Sequence, residues 1–164
     1  MRICAVVGFS ESGKTRLVTR LIEEFKRRGL RTCAVKRCSH GFSLDLEGKD
    51  SADFSRAGAD GVALLAPEGW AAMGKSSVGD IRAWAGCLFP EADVVLVEGG
   101  KESRGFPKVE VLRAGVSETL MSDPAELVAV VSDVPLPEIP AVPVVRPSDP
   151  LRICDLILSL EEVP

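Results

Sequence analysis

The sequence predicts an α/β protein: an open, mostly parallel sheet with helices on both faces and an antiparallel hairpin at one edge. Three observations support this. Short apolar runs alternate with segments of helical periodicity over nearly the whole chain. The first run passes through a glycine-bearing bend directly into an amphipathic segment, the signature of a strand, loop and helix in sequence. No repeat and no linker interrupts the 164 residues, so 1–164 reads as one domain.

Ile3 to Val7 form the first apolar run and end at Gly8. Leu17, Val18, Leu21, Ile22 and Phe25 then recur at spacings of three and four, which places them on one helical face; Gly29 stops that helix. Thr32 to Val35 resume as a short strand, and a right-handed crossover makes the two strands parallel. Residues 37–50 read as a polar loop and 51–57 as a short helix before Gly58. Val62 to Ala66, the turn at 67–69 and Trp70 to Met73 make the hairpin, expected at a sheet edge. Val78, Ile81, Ala85 and Leu88 have helical spacing, Pro90 closes that segment, and Val94 to Val97 suit a strand covered on both faces. Leu127 to Val131 and Val142 to Val145 are two further strands, with stiffening prolines between them, and Ile153, Leu156, Ile157 and Leu160 are the face of a terminal helix.

Composition narrows the function. Hydrophobic residues make up 46% and charged residues 27%, enough apolar content to exclude a disordered tail. The net charge of -4 disfavours an electrostatic nucleic-acid partner. No apolar run approaches a membrane span, and the opening residues turn polar too soon for a signal peptide, so a cytoplasmic protein without a membrane partner is expected. The five cysteines are odd in number and mostly sit in apolar runs, as small buried hydrophobes do; no disulfide framework and no C-x-x-C zinc pattern is read.

Gly8-Phe9-Ser10-Glu11-Ser12-Gly13-Lys14-Thr15 satisfies the phosphate-loop pattern G-x-x-x-x-G-K-[ST] in full and lies between a strand and a helix. Glycines let the backbone N–H groups turn toward phosphates, the helix start presents its positive end, Lys14 reaches terminal phosphate oxygens and Thr15 offers a hydroxyl to magnesium. Such a loop needs an acid for the metal or its water. Glu98 ends the Val94 to Val97 strand, on the edge where parallel sheets gather ligands, and Gly99-Gly100 after it permit close approach. Asp93 begins the same strand and belongs to the opposite edge, as a surface or capping residue.

The polar loop after the second strand reads either as an ordinary mixed-charge loop or as a source of Asp45 or Asp50 for a magnesium shell or a water, with Lys36, Arg37 and Lys49 balancing phosphate charge; Asp50 equally suits the cap of the helix that starts there. His40 reads either as a solvated side chain or as an acid, base or phosphate donor. Lys101, Arg104, Lys108, Glu110 and Arg113 form a mixed, locally basic stretch, either solvated surface or a face for an anionic ligand or a partner. The guanine tetrad N-K-x-D is absent, and Asp133, just past a strand, stands as the base-reading acid or as a turn residue.

Together these motifs resemble the molybdopterin-guanine-dinucleotide biosynthesis protein B family over most of the chain. The likeness is carried by GFSESGKTRL from Gly8, AVKRCSHGFSLDLEGKDS from Ala34, AGAD from Ala57, DVVLVEGGKESRGFPKVEVLR from Asp93 and VVSD ending at Asp133. Two departures stand out: Arg37 and Ser39 lie where members commonly carry histidines, and Arg16 where a second threonine often follows. The resemblance implies a homodimeric GTP-binding adaptor that uses magnesium, hydrolyses GTP weakly, and helps a partner guanylyltransferase attach GMP to molybdopterin, with contact to molybdopterin or to molybdoenzymes left open. It matches Gly8 to Thr15 to the family's phosphate loop, Asp50 to the acid of its loop motif, Glu98 and Lys101 to its second signature, Lys108, Glu110 and Arg113 to the segment after it, and Asp133 to a guanine-side aspartate. Lys14, Asp50 and Glu98 are thus the expected catalytic groups, and Thr15, Asp50 and Glu98 the expected metal ligands. Ser10, Glu11, Ser12, Arg37, Lys101 and Asp133 complete the expected nucleotide contacts. Two other classes stay open on the residues alone: a small-molecule kinase using Asp45, Asp50 or His40, and a metallochaperone-type GTPase, which would call for the paired cysteine or histidine ligands this chain lacks.

Overall fold

A computed structural model describes residues 1–38, 50–74, 79–117, 119–136 and 141–163. The chain divides into two compact units, one of Met1–Cys38 with Ala85–Pro164 and one of Ser39–Trp84.

The first unit is built on a six-stranded sheet in which every neighbouring pair is parallel. Its strands are β1 (Arg2–Val7), β2 (Thr32–Lys36), β5 (Val94–Glu98), β6 (Lys108–Leu112), β7 (Leu127–Ser132) and β8 (Val144–Val145), in the spatial order β2-β5-β1-β6-β7-β8. The helices α1 (Lys14–Arg27) and α4 (Pro150–Leu158) pack on each other and on one face of this sheet. Alternation along the strands decides which side chains meet them: Cys4, Val6, Val94, Leu96, Val109, Val111, Ala129 and Val131 form one cluster with Leu17, Val18, Leu21 and Phe25 of α1 and Ile153 and Ile157 of α4. Each of the four α1 side chains contributes roughly 1.5–3 kcal/mol by leaving water.

α1 ends where the sequence predicts. Gly29, at φ 77°, takes the left-handed conformation, Leu30 N–H donates to Phe25 O at 3.0 Å and Gly29 N–H to Lys26 O at 3.0 Å. This is a Schellman closure, and Lys26 and Arg27 in the last turn oppose the negative end of the helix.

The second unit holds α2 (Asp50–Arg56) and a hairpin of β3 (Gly61–Ala66) and β4 (Gly69–Gly74). Here the structure corrects the expected edge hairpin: among the described residues β3 and β4 pair only with each other, as a separate two-stranded sheet. Period-two patterning reports a strand and its faces but not which sheet it joins. Helix α3 (Ile81–Leu88) follows the hairpin across the division between the units.

A second correction concerns β6. Lys108 and Glu110 were expected in a mixed-charge stretch, with solvated surface as one reading; they are instead in a fully buried strand, at 1% and 0% exposure. Lys108 Nζ donates to Glu126 Oε2 at 2.7 Å and to Lys101 O at 3.4 Å. Glu110 accepts from the backbone N–H groups of Met121 and Ser122 at 2.8 and 2.9 Å. On this face of β6 the irregular segments around Lys101 and Met121 to Glu126 meet the sheet, and they bring the polar partners that a helix surface would not supply. Among the described residues no helix is long and apolar enough to cross a membrane.

Candidate functional site

The site lies at the carboxyl ends of β2, β5, β1 and β6. β1 is central, with the chain crossing to β2 on one side and to β6, β7 and β8 on the other, so its carboxyl end is a switch point where open parallel sheets gather ligands. Register brings the acid and a cation into line: Val6 of β1 is abreast of Glu98 of β5, and Glu98 is abreast of Lys36 of β2.

The loop from Gly8 to Gly13 joins β1 to α1, and its backbone is unusual at three points. Gly8 has φ 143°, Glu11 φ 63° and Gly13 φ 97°. At Gly8 a β-carbon would lie 2.5 Å from Val111 O and 2.9 Å from Ser12 Oγ, so glycine is required by contact as well as by angle. Gly13 is the N-terminal boundary of α1, no side chain among the described residues caps that helix, and its first turn carries no acid. The first-turn N–H groups and the positive end of the helix are left for an outside acceptor. The Ser12 hydroxyl is buried without a hydrogen-bond partner among the described residues, a second donor awaiting one.

Lys14 Nζ donates to Phe9 O at 2.5 Å, folded back on its own loop. Burial pushes the Lys14 ammonium below the usual lysine range; Glu98 opposes this, while Lys36 and Lys101 add to it. An anion in the loop would relieve that repulsion. Thr15 Oγ1 donates to Glu98 Oε1 at 2.8 Å, and Lys36 Nζ is 3.4 Å from the same oxygen. A cleft of about 790 Å³ opens here, bordered by Lys14, Thr15, Lys36, Glu98 and Arg113. Magnesium prefers hard oxygen donors, and a threonine hydroxyl beside a carboxylate is such a pair. With the unpartnered Ser12 hydroxyl and the Gly8 cradle, these residues fit a magnesium-bound phosphate chain.

Arg37 N–H donates to Glu98 O at 3.0 Å, and its guanidinium donates to Ser103 Oγ. Gly100 takes φ 79°, a left-handed conformation that favours glycine, and this accounts for the residue after Glu98-Gly99. Lys101 Nζ is 5.8 Å from the Phe9 ring centroid, over the phosphate loop. Asp133 borders a separate cavity of about 220 Å³ with Ser12, Gly13, Arg16, Arg20 and Arg113, and its Oδ1 accepts from Ala114 N–H at 3.2 Å. Asp93, at the far end of β5, accepts from Arg31 N–H at 2.7 Å and braces the opposite edge of the sheet.

Gly8, Ser10, Glu11, Ser12, Gly13, Lys14, Thr15, Arg37, Glu98 and Lys101 therefore gather at one sheet edge, with Asp133 on the adjoining cavity. Asp50 begins α2 in the second unit, and its side chain lies outside the described residues. His40, Asp45 and Lys49 lie outside them as well. Among the described residues no group of three or more His, Cys, Asp or Glu side chains clusters as a metal site. In the sequence Arg113 is one charge of the stretch from Lys101; its place just past β6, the strand beside β1, is the signal that singles it out.

A parallel α/β unit thus carries a glycine-bearing loop, a lysine, a threonine and a strand-end acid together at its switch point. Residues 3–133 match the family described as molybdopterin guanine dinucleotide synthesis protein B, and the chain belongs to that family. It is 32% identical over 136 residues to the molybdopterin-guanine dinucleotide biosynthesis adapter protein of Haemophilus influenzae, covering 82% of this chain and 76% of the relative. It is also 32% identical over 141 residues to the Escherichia coli adapter protein, covering 82% and 79%. The crystal structure of Bacillus subtilis MobB superposes with TM-score 0.77 at 26% identity, covering 99% of this chain and 100% of that one.

Proposed function

We propose that this protein is a GTP-binding adaptor of molybdenum-cofactor biosynthesis that hydrolyses GTP weakly and assists a guanylyltransferase in attaching GMP to molybdopterin. Membership of the family and the adapter proteins among its relatives support the pathway and the adaptor role. The observation that carries nucleotide binding is the meeting of Lys14, Thr15 and Glu98 below a loop whose Ser12 hydroxyl is buried without a partner among the described residues. In this reading the protein acts as a cytoplasmic homodimer, and GTP rather than ATP is selected with the help of Asp133.

Lys14 turns from Phe9 O to the terminal phosphates, and the loop N–H groups and the start of α1 hold the rest of the chain of phosphates. Thr15 and Glu98 would hold magnesium, which when bound would neutralise phosphate charge. Lys36, beside Glu98, and Lys101, beside Phe9, keep the cleft cationic. No side chain of the phosphate loop is an evident general base, so positioning and charge stabilisation without proton abstraction give slow turnover.

Titration of the protein with magnesium-GTP beside magnesium-ATP tests the reading. GTP is expected to bind more tightly, and Lys14→Ala to weaken it by at least about tenfold, the loss of one charge-assisted contact. Equal binding of GTP and ATP removes the base preference, and unchanged GTP affinity in Lys14→Ala overturns the phosphate-loop role.

A further inference from the structure

Two cations border the cleft with loop carbonyls, not carboxylates, as their partners. Lys14 donates to Phe9 O, and from the other side Arg113 Nη1 donates to Glu11 O at 3.2 Å. Lys36 has Glu98, and Lys101 has Glu102 at 3.9 Å. Among the described residues Arg113 has no carboxylate within ion-pair distance, although its side chain is exposed. A guanidinium has five donors in a planar fork, and a single backbone carbonyl uses a small part of them.

The backbone of Arg113 is fixed. It directly follows β6, whose Val111 O meets Gly8 at the start of the phosphate loop. Val116 and Ser117 N–H groups both donate to Arg113 O, at 3.0 and 3.1 Å, and Arg113 N–H donates to Ser117 O at 3.3 Å. Asp133 Oδ1 braces the next residue through Ala114 N–H. The side chain borders both the cleft of Lys14, Thr15 and Glu98 and the adjoining cavity of Asp133. It therefore needs only side-chain rotation to leave Glu11 O for an anion in the loop.

We infer that Arg113 is a phosphate ligand of this site, an arginine supplied by the chain itself that closes on the nucleotide's phosphates from the side opposite Lys36. The contact deepens the nucleotide-binding reading above and rests on it. Arginine suits the place because its fork matches two phosphate oxygens at once, which a lysine point charge does not.

The test compares wild type, Arg113→Ala and Arg113→Lys by titration with magnesium-GTP at several salt concentrations, with thermal melting of the nucleotide-free proteins alongside. Because the side chain is exposed, Arg113→Ala is expected to melt with wild type. It is expected to bind GTP at least about tenfold more weakly and with a shallower salt dependence, because one phosphate-facing charge is gone. Arg113→Lys is expected to recover the salt dependence but only part of the affinity. A merely structural role would lower the melting temperature and leave the salt dependence unmoved, and that result overturns the inference. So does Arg113→Ala binding within about twofold of wild type while Lys14→Ala fails to bind. Failure of wild type itself to bind GTP overturns the reading beneath it, which distinguishes the two.

Discussion

Replacing Gly8 by alanine tests the link from sequence motif to packing to binding. The new β-carbon would stand 2.5 Å from Val111 O, a backbone atom held in the β6 ladder, and 2.9 Å from Ser12 Oγ. The hydroxyl can rotate away; the carbonyl cannot. Ordinary contact begins at 3.4 Å, so β6 and the loop must separate by about 0.9 Å. Overpacking of this kind costs about 1–3 kcal/mol, and a residue with a side chain at φ 143° adds about 1–3 kcal/mol. The expected loss is about 2–6 kcal/mol of folding stability, read as a lower urea midpoint at unchanged slope. If the chain escapes by moving the loop, the penalty appears in GTP affinity, each 1.4 kcal/mol being about tenfold. Urea unfolding and GTP titration of the same variant therefore account for the whole cost. A variant within about 0.5 kcal/mol of wild type in stability and within twofold in GTP affinity refutes the close packing of Gly8 on β6.

Three further outcomes follow from the same geometry. Glu98→Gln keeps a hydrogen-bond acceptor for Thr15 but loses the charge beside Lys36, so the magnesium-dependent part of GTP affinity is expected to fall by at least about tenfold; retention of the full magnesium effect removes Glu98 from the metal site. Glu24 is held at about 2, below the 4.5 of a free glutamate, by hydrogen bonds from Arg27 and Arg28. Its folded pKa is depressed, so its contribution is complete above about pH 4.5 and is lost as pH falls toward 2. Wild type and Glu24→Gln should differ in stability above that window and converge within it, and parallel curves through acid would refute the linkage. Finally, burial pushes the Cys4 and Cys154 thiols up to about 12, whereas Cys38 and Cys87 are exposed. Mass spectrometry after brief alkylation should find Cys38 and Cys87 modified and Cys4 and Cys154 intact until denaturant is added; early labelling of Cys4 would contradict a closed core.

What was legible in the sequence was what depends on neighbours in the chain. Gly8 to Thr15 carry a local mechanism, and the period of Leu17 to Phe25 names the buried face of α1, so strand, loop and helix could be placed in order. Glu98 was legible because Val94 to Val97 form a continuous apolar run and the acid ends it. β6 was hidden because the partners of Lys108 and Glu110 are distant: Glu126 and the N–H groups of residues 121 and 122. In isolation, two charges alternating with valines describe a half-solvated strand equally well. Only the alternation itself, with Val109 and Val111 on one face, signalled a strand there. The hairpin was legible as a hairpin, but its separate sheet was not, since pairing partners are chosen by tertiary contact.

The buried charges of β6 bear on the site through register. Lys108 and Glu110 share one face of the strand, and Val109 and Val111 share the other, in the apolar cluster with α1 and α4. Slipping β6 by one residue exchanges the two sets. Both charges would then enter the apolar cluster without partners, at several kcal/mol each even after relaxation, while two valines would face the vacated N–H groups and the Glu126 carboxylate. An all-valine strand would pay far less for the same slip. The polar face thus adds less to stability than an apolar one of equal size could, yet it penalises the wrong register more heavily. That register sets Val111 O against Gly8, fixes Arg113 at the mouth of the cleft, and, through Lys108 and the Lys101 carbonyl, ties the segment bearing Lys101 to the same strand. The geometry of the phosphate loop and two of the cations around it therefore depend on a strand that contributes none of the motif.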